Sequence, residues 1–262
     1  MPSDHPINRN ESRWMNEKKW MVFLAIGAVL IGMPSNAMAM HITEGILPLP
    51  WAGFWFFVAI PFVAFGLREL NQRSRDIPHF KPMVGLVGAA VFVISCMPIP
   101  VPTAGTCAHP CGTGMAAILI GPLLTVVVTS IALLLQALFL SHGGLTTLGG
   151  NIVSMGLAGG FVGFGVYWLA KRCGASLFVA AFLAGVFSDW ATYATTSLEL
   201  ASALHSHGAF GTMFWSILLS FCPTQIPLGI LEGFLTAGAV SFVYARRPEI
   251  LGMGAPLKGA AR

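Results

Sequence analysis

The feature that most limits what this chain can fold into is a succession of long apolar stretches, near residues 51–67, 83–97, 113–140, 151–170, 176–198 and 213–244. Most of them approach or exceed the length needed to cross a bilayer, and in lipid every backbone polar group must be satisfied inside a helix or a closed barrel. No alternation of period two supports a barrel. The expected class is all-α, a polytopic transmembrane helical bundle of about six to seven helices in the mature chain. Charged residues make up only 9% of the 262 and apolar ones 55%, which excludes an ordinary soluble domain.

The formal net charge of +4 sits in short clusters at 13–19, 68–81, Lys171-Arg172 and Arg246-Arg247. Such clusters mark cytoplasmic loops. No basic stripe with interleaved aromatics points to nucleic acid. The five cysteines are an odd number scattered through apolar sequence, so they imply no disulfide framework.

Residues 1–39 have a polar, net basic start, an apolar run over 20–33, and then Pro34-Ser35-Asn36-Ala37-Met38-Ala39. That is the layout of a signal peptide, with Ala37 and Ala39 as the small residues of the cleavage site. Cleavage would leave the mature N-terminus, at Met40, external. The next stretch then runs inward to the basic loop at 68–81, and 83–97 returns outward to a Pro- and Gly-rich segment, 98–112.

Positive charge also decides how 113–140 is arranged. One long helix would put Lys171-Arg172 and Arg246-Arg247 outside, whereas a break at Gly121-Pro122 keeps both pairs in the cytoplasm. With the break there are six crossings plus a short helix, and a kink is expected near Pro223 and Pro227. The loops holding His109, His142 and His205-Ser206-His207 then share the external face with Met40. No internal repeat is evident, so the inverted-repeat signature of many secondary transporters is not supported.

Cleavage after Ala39 would place a free amine on Met40 directly before His41. Amine, deprotonated His41 backbone nitrogen and His41 imidazole can then form fused chelate rings. Such a tetragonal nitrogen site suits Cu(II) and Ni(II), admits Co(II), and leaves an in-plane position for another neutral imidazole. His109 is the candidate, since Pro98, Pro100, Pro102 and Gly105 stiffen its loop without making it helical. Cys107 and Cys111 flank it and offer two competing readings, a Cys/His site for zinc or Cu(I), or a short disulfide. Packing is the plain reading for Cys96, Cys173 and Cys222.

Beyond these positions, His142, Thr146, Asn151 and Ser154 form a polar stretch that could orient metal-bound imidazoles from outside. For Asn151 a role in close helix packing weighs equally. Asp189, Glu199 and Glu232 are rare acids in apolar sequence, functional or pairing positions by default. His205 and His207 read as a solvated loop. The chain contains no G-x-x-x-x-G-K-[ST] phosphate loop, no H-E-x-x-H and no G-x-S-x-G. That argues against an ATPase within this chain and against an intramembrane hydrolase.

The stretches Met40-His41-Ile42-Thr43-Glu44-Gly45, Gly105-Thr106-Cys107-Ala108-His109-Pro110, His142-Gly143-Gly144-Leu145-Thr146-Thr147-Leu148-Gly149-Gly150-Asn151, Asp189-Trp190-Ala191-Thr192-Tyr193 and Gln225-Ile226-Pro227-Leu228-Gly229-Ile230-Leu231-Glu232-Gly233 resemble, in order, the CbiM family. That family comprises the substrate-capture components of cobalt and nickel energy-coupling-factor transporters. The resemblance spans nearly all of 40–245. Together with the signal-peptide layout at 1–39, it gives a transmembrane metal-capture domain at 40–247, and the segment past it, 248–262, is expected to be a cytoplasmic tail.

It further implies that the metal is held by the Met40 amine, by His41 through backbone and side chain, and by the His109 imidazole. The cargo would be Co2+ for cobalamin biosynthesis, with Ni2+ the alternative; Glu44 tilts towards cobalt, planar geometry towards nickel. A non-enzymatic, multi-pass subunit of the inner (plasma) membrane would join a CbiQ-like transmembrane coupling subunit, CbiO-like cytoplasmic ATPases and a small CbiN-like accessory subunit. A stand-alone divalent-metal permease is the rival from another class.

Overall fold

A computed structural model describes residues 41–97, 99–101, 106–205 and 209–250, which fall within one compact unit, Met38–Arg262. The expected signal peptide at 1–39, Met40, the side chain of Cys107, His207 and most of the tail lie outside the described residues.

The chain enters α1 (Leu49–Asp76) and α2 (Phe80–Ser95). A short antiparallel hairpin follows, β1 (Ile99–Val101) against β2 (Thr106–Ala108), with Ile99 opposite Ala108. Next come α3 (Thr113–Ile120) and α4 (Pro122–Phe139). Then α5 (Leu148–Asn151) widens into a π-helical stretch, Ile152–Gly159, and continues as α6 (Gly160–Arg172). Finally α7 (Leu177–Leu204) and α8 (Phe210–Arg246) close the bundle.

Five of these helices are long and apolar enough to cross a membrane: α1, α4, the joined Leu148–Arg172 helix, α7 and α8; α2 is apolar but shorter. The chain is a multi-pass membrane protein. Leu49, Phe57, Phe139 and Phe242 are exposed on its surface, as a bilayer solvent permits. Phe80, Ile118, Leu124 and Met155 fill the interior.

The break expected at Gly121-Pro122 is present. Gly121 has φ +93°, a conformation open to glycine, and Pro122 starts α4 where its missing N–H costs nothing. The half-length α3 therefore ends inside the protein. Its last carbonyl, Ile120 O, accepts from Arg73 Nη1 at 3.5 Å.

Two expectations differ from what is observed. The basic segment 68–81 is not a loop, because α1 continues to Asp76 and only Ile77 to His79 turn into α2. Arg73 is buried there, ion-paired with Glu69 one turn earlier, so its charge is neutralised inside the fold instead of ending the helix. Cys173, expected to pack, is exposed, because it lies just past the end of α6. Pro223 and Pro227 are both accommodated inside one uninterrupted α8.

Small residues let the last two helices approach closely. A Cβ on Gly185 of α7 would stand 2.7 Å from Glu232 O of α8. Side chains larger than hydrogen at such crossings would force the pair apart.

Candidate metal centre

His41 lies ahead of α1, in a segment with no helix to fix its direction, and its position comes from side chains of α4 and α5. Asn151 grips the main chain of the next residue: Ile42 N–H donates to Asn151 Oδ1 at 3.0 Å, and Asn151 Nδ2 donates to Ile42 O at 3.2 Å. The Thr147 hydroxyl donates to the same carbonyl at 2.6 Å. Glu44 accepts from Thr146 N–H at 3.1 Å.

The Gly143-Gly144 turn is what lets this segment lie so close. Gly143 has φ +79°, and a Cβ there would come within 3.3 Å of both His41 Cβ and Asn151 Nδ2; on Gly144 it would stand 2.7 Å from Glu44 backbone atoms. Against this floor the His41 ring is buried, with Nε2 3.1 Å from Gln136 Oε1 of α4.

His109 follows β2 and is 1% exposed. Its Nδ1–H donates to Pro110 O at 3.2 Å, which leaves Nε2 without a proton; that atom is buried and has no hydrogen-bond partner among the described residues. The loop that carries it is held from below. Glu232, well inside α8, accepts from Cys111 N–H at 2.7 Å and from Gly112 N–H at 2.9 Å, the free donors at the start of α3. Cys111 is a free, buried thiol. Its Sγ, an Asp189 oxygen and a Glu232 oxygen lie within 4.8 Å of one another.

His142, between α4 and α5, completes a wall of imidazoles. The ring centroids of His41 and His109 are 4.7 Å apart, of His41 and His142 4.7 Å, and of His109 and His142 5.0 Å. One ring nitrogen from each lies within 4.8 Å of the others. His142 Nε2 is also buried without a partner among the described residues.

Burial holds all three imidazoles below the usual histidine range. For His41 the neighbouring His109 and His142 add to that effect and Gln136 opposes it; for His109 the result is about 4. Neutral rings whose nitrogens lie this close together can displace the water shell of a divalent transition metal.

Among the residues expected around the site, His142 lies against the His41 ring, Asn151 holds the adjoining Ile42 main chain, and Thr146 reaches the segment through Glu44. The Ser154 hydroxyl instead donates to Gly150 O and Asn151 O of its own helix, at 3.2 and 3.4 Å. His205 turns back onto the end of α7, with Nδ1 2.9 Å from Ala201 O. Gln136, Ser95 and Thr147 were not foreseen. Gln136 had a signal, being a polar residue in the middle of the apolar run Leu133-Leu134-Leu135-Gln136-Ala137-Leu138.

A multi-pass helical bundle that buries three imidazoles side by side defines a class of candidates, membrane proteins whose donor set suits a transition-metal ion. Within that class the chain belongs to the CbiM family, described as the cobalt uptake substrate-specific transmembrane region, which it matches over residues 41–250. The cobalt transport protein CbiM of Sorangium cellulosum is 61% identical over 81% of this chain and 94% of its own length.

The corresponding protein of Geobacter sulfurreducens is 59% identical over 86% of this chain but 65% of its own, longer, sequence, and that of Desulforamulus reducens is 43% identical over 89% and 93%. The fold is also that of a truncated transition-metal transporter (TM-score 0.69, 22% identity, 79% of this chain and 99% of the other) and of a second transition-metal transporter structure (TM-score 0.67, 23% identity, 79% and 93%).

Proposed function

We propose that the chain is the substrate-capture subunit of an energy-coupling-factor cobalt uptake system serving cobalamin biosynthesis, and that it binds one Co2+ through the Met40 amine, the His41 backbone and imidazole nitrogens and the His109 imidazole. The observation that carries this reading is the close approach of the buried His41 and His109 rings, 4.7 Å between centroids, with His109 Nε2 buried and without a hydrogen-bond partner among the described residues. Signal cleavage after Ala39 supplies the amine and puts the mature N-terminus outside the plasma membrane. His142, Thr146 and Asn151 act from outside the ligand set, with Ser154 behind them on the same helix as Asn151. The domain at 40–247 does the capturing and 248–262 is the cytoplasmic tail. Ni2+ is the alternative cargo.

Such a subunit captures the ion but hydrolyses nothing. Energy comes from CbiO-like ATPases through a CbiQ-like coupling subunit, with a CbiN-like accessory protein beside it. The test is intact mass and metal content of the purified protein, set against a variant with one alanine inserted between Ala39 and Met40. The expected result is a mature mass starting at Met40, one Co2+ per chain, and loss of binding on insertion. A mass that begins earlier, or binding that survives the insertion, sinks the proposal.

One observation favours a second reading of the site. Because ligand nitrogens of His41, His109 and His142 lie within 4.8 Å of one another, the three imidazoles alone can hold an ion. On that reading the insertion leaves binding intact and His142→Ala removes it.

A further inference from the structure

A series of hydrogen bonds leads away from the proposed metal ligand His41. His41 Nε2 lies 3.1 Å from Gln136 Oε1, Gln136 Nε2 donates to Ser95 Oγ at 2.7 Å, and the Ser95 hydroxyl donates to Phe92 O at 3.0 Å. All three side chains are buried, Ser95 and Gln136 almost wholly.

The polarity of this series is fixed at its far end. A backbone carbonyl can only accept, so the single Ser95 proton is committed to Phe92 O. Ser95 Oγ therefore has only lone pairs left for Gln136, and the group that faces it must be the amide NH2. Gln136 Oε1 is then turned towards His41, and it too can only accept. His41 must carry its proton on Nε2, which leaves Nδ1 bare.

We propose that Gln136, oriented by Ser95, is the positioning residue that selects the tautomer of His41 and so makes Nδ1 the nitrogen offered to the metal. This rests on His41 being a ligand, as argued above. The choice of nitrogen matters because only Nδ1 can close a chelate ring of metal, His41 backbone nitrogen, Cα, Cβ, Cγ and Nδ1. Nε2 lies on the far side of the ring and cannot share an ion with its own backbone. The N–H donated to Gln136 also raises the basicity of the ligating nitrogen. His109 is set in the opposite sense: its Nδ1–H is taken by Pro110 O, so it offers Nε2. Each ring is thus presented by a separate fixed acceptor.

The tautomer can be measured without metal. In the full chain labelled with nitrogen-15 histidine, with His41 assigned by difference from His41→Ala, the expected signals are a protonated Nε2 and an unprotonated Nδ1. Gln136→Lys presents only donors to Nε2 and should move the proton to Nδ1. Gln136→Glu keeps an acceptor there and should keep the wild-type pattern.

Co2+ affinity should follow the same order. Gln136→Met is expected to weaken it by about 10 to 100-fold, the usual range for outer partners of metal-bound histidines, while Gln136→Glu recovers most of it. Ser95→Ala, which frees the amide to turn over, should fall between the two. A proton on Nδ1 in the unaltered metal-free protein overturns the proposal, as does unchanged binding in Gln136→Met. Binding that survives His41→Ala refutes the metal-site reading instead, and leaves the tautomer measurement standing as a test of Gln136.

Discussion

Two buried polar clusters meet along the short segment from His109 to Gly112, and they are built on opposite plans. In the upper one, ring nitrogens of His41, His109 and His142 lie within 4.8 Å of one another, and His109 Nε2 and His142 Nε2 lack partners among the described residues. In the lower one Glu232 accepts from the Cys111 and Gly112 N–H groups at 2.7 and 2.9 Å, so both of its oxygens are committed to the backbone. The upper cluster leaves ring nitrogens of His109 and His142 open, whereas in the lower one Glu232 uses its acceptors on a loop and it is the buried Asp189 oxygens beside it that stay open among the described residues. Glu232, which holds the fold, gives its lone pairs to the backbone, whereas the proposed metal site keeps ring nitrogens free.

This contrast predicts a separation of effects. His41→Ala should abolish Co2+ binding, read by calorimetry on the purified full chain, and lower the thermal stability of the metal-free protein only by about 1–3 kcal/mol, the cost of leaving buried Gln136 Oε1 without a donor. A larger loss of stability in that variant would mean that the upper cluster is structural as well.

Glu232→Ala should do both kinds of damage. Two buried N–H groups lose their acceptor, at about 1–3 kcal/mol each, and the His109 loop loses its anchor, so the unfolding temperature and metal affinity fall together. Glu232→Gln retains a carbonyl acceptor and should recover part of each.

His142→Ala separates the two readings of the pocket. With Met40, His41 and His109 as ligands it weakens binding by about 10 to 100-fold, as expected for an outer partner; complete loss would make it a ligand.

The smallest effect is that of pH. Burial keeps the proposed ligands His41 and His109 neutral well below pH 6.5, so between about pH 8 and 6 protons compete chiefly at the terminal amine, whose reference pKa is about 7.7–8, and at the His41 amide. Affinity should fall with pH in that window. Because burial holds His109 at about 4, the unfolded chain takes up its proton first as pH drops from about 6.5, and stability of the metal-free protein should decline from there towards pH 4. A metal-free protein as stable at pH 5 as at pH 7 would contradict the buried, neutral rings.

Much of this was legible in the sequence, for identifiable reasons. Glycine and proline state their backbone requirements locally, so the Gly121-Pro122 break could be placed from two letters and the sign of distant basic residues. His41 and His109 were selected by the chemistry of a dipeptide and by family resemblance. Gln136 and Ser95 were not seen, because their meaning lies in a pairing across two helices, and the sequence separation of 41 residues carries no trace of it. The end of α1 was misjudged for a related reason. Arg73 looks like a loop cation until Glu69 and the Ile120 carbonyl are seen around it.

The grip of Asn151 and Thr147 on Ile42 has a further consequence. Every one of these hydrogen bonds ends on main-chain atoms, so they are indifferent to which side chain residue 42 carries. What they fix is count. With residue 42 clamped, only the residue immediately before it can put its imidazole into the pocket, and only one more residue can supply a nitrogen beside it. The pair acts as a ruler on the incoming strand, tolerant of spelling and strict about length: Ile42→Val should pass unnoticed, whereas a chain trimmed one residue early or late should arrive with its nitrogens out of step.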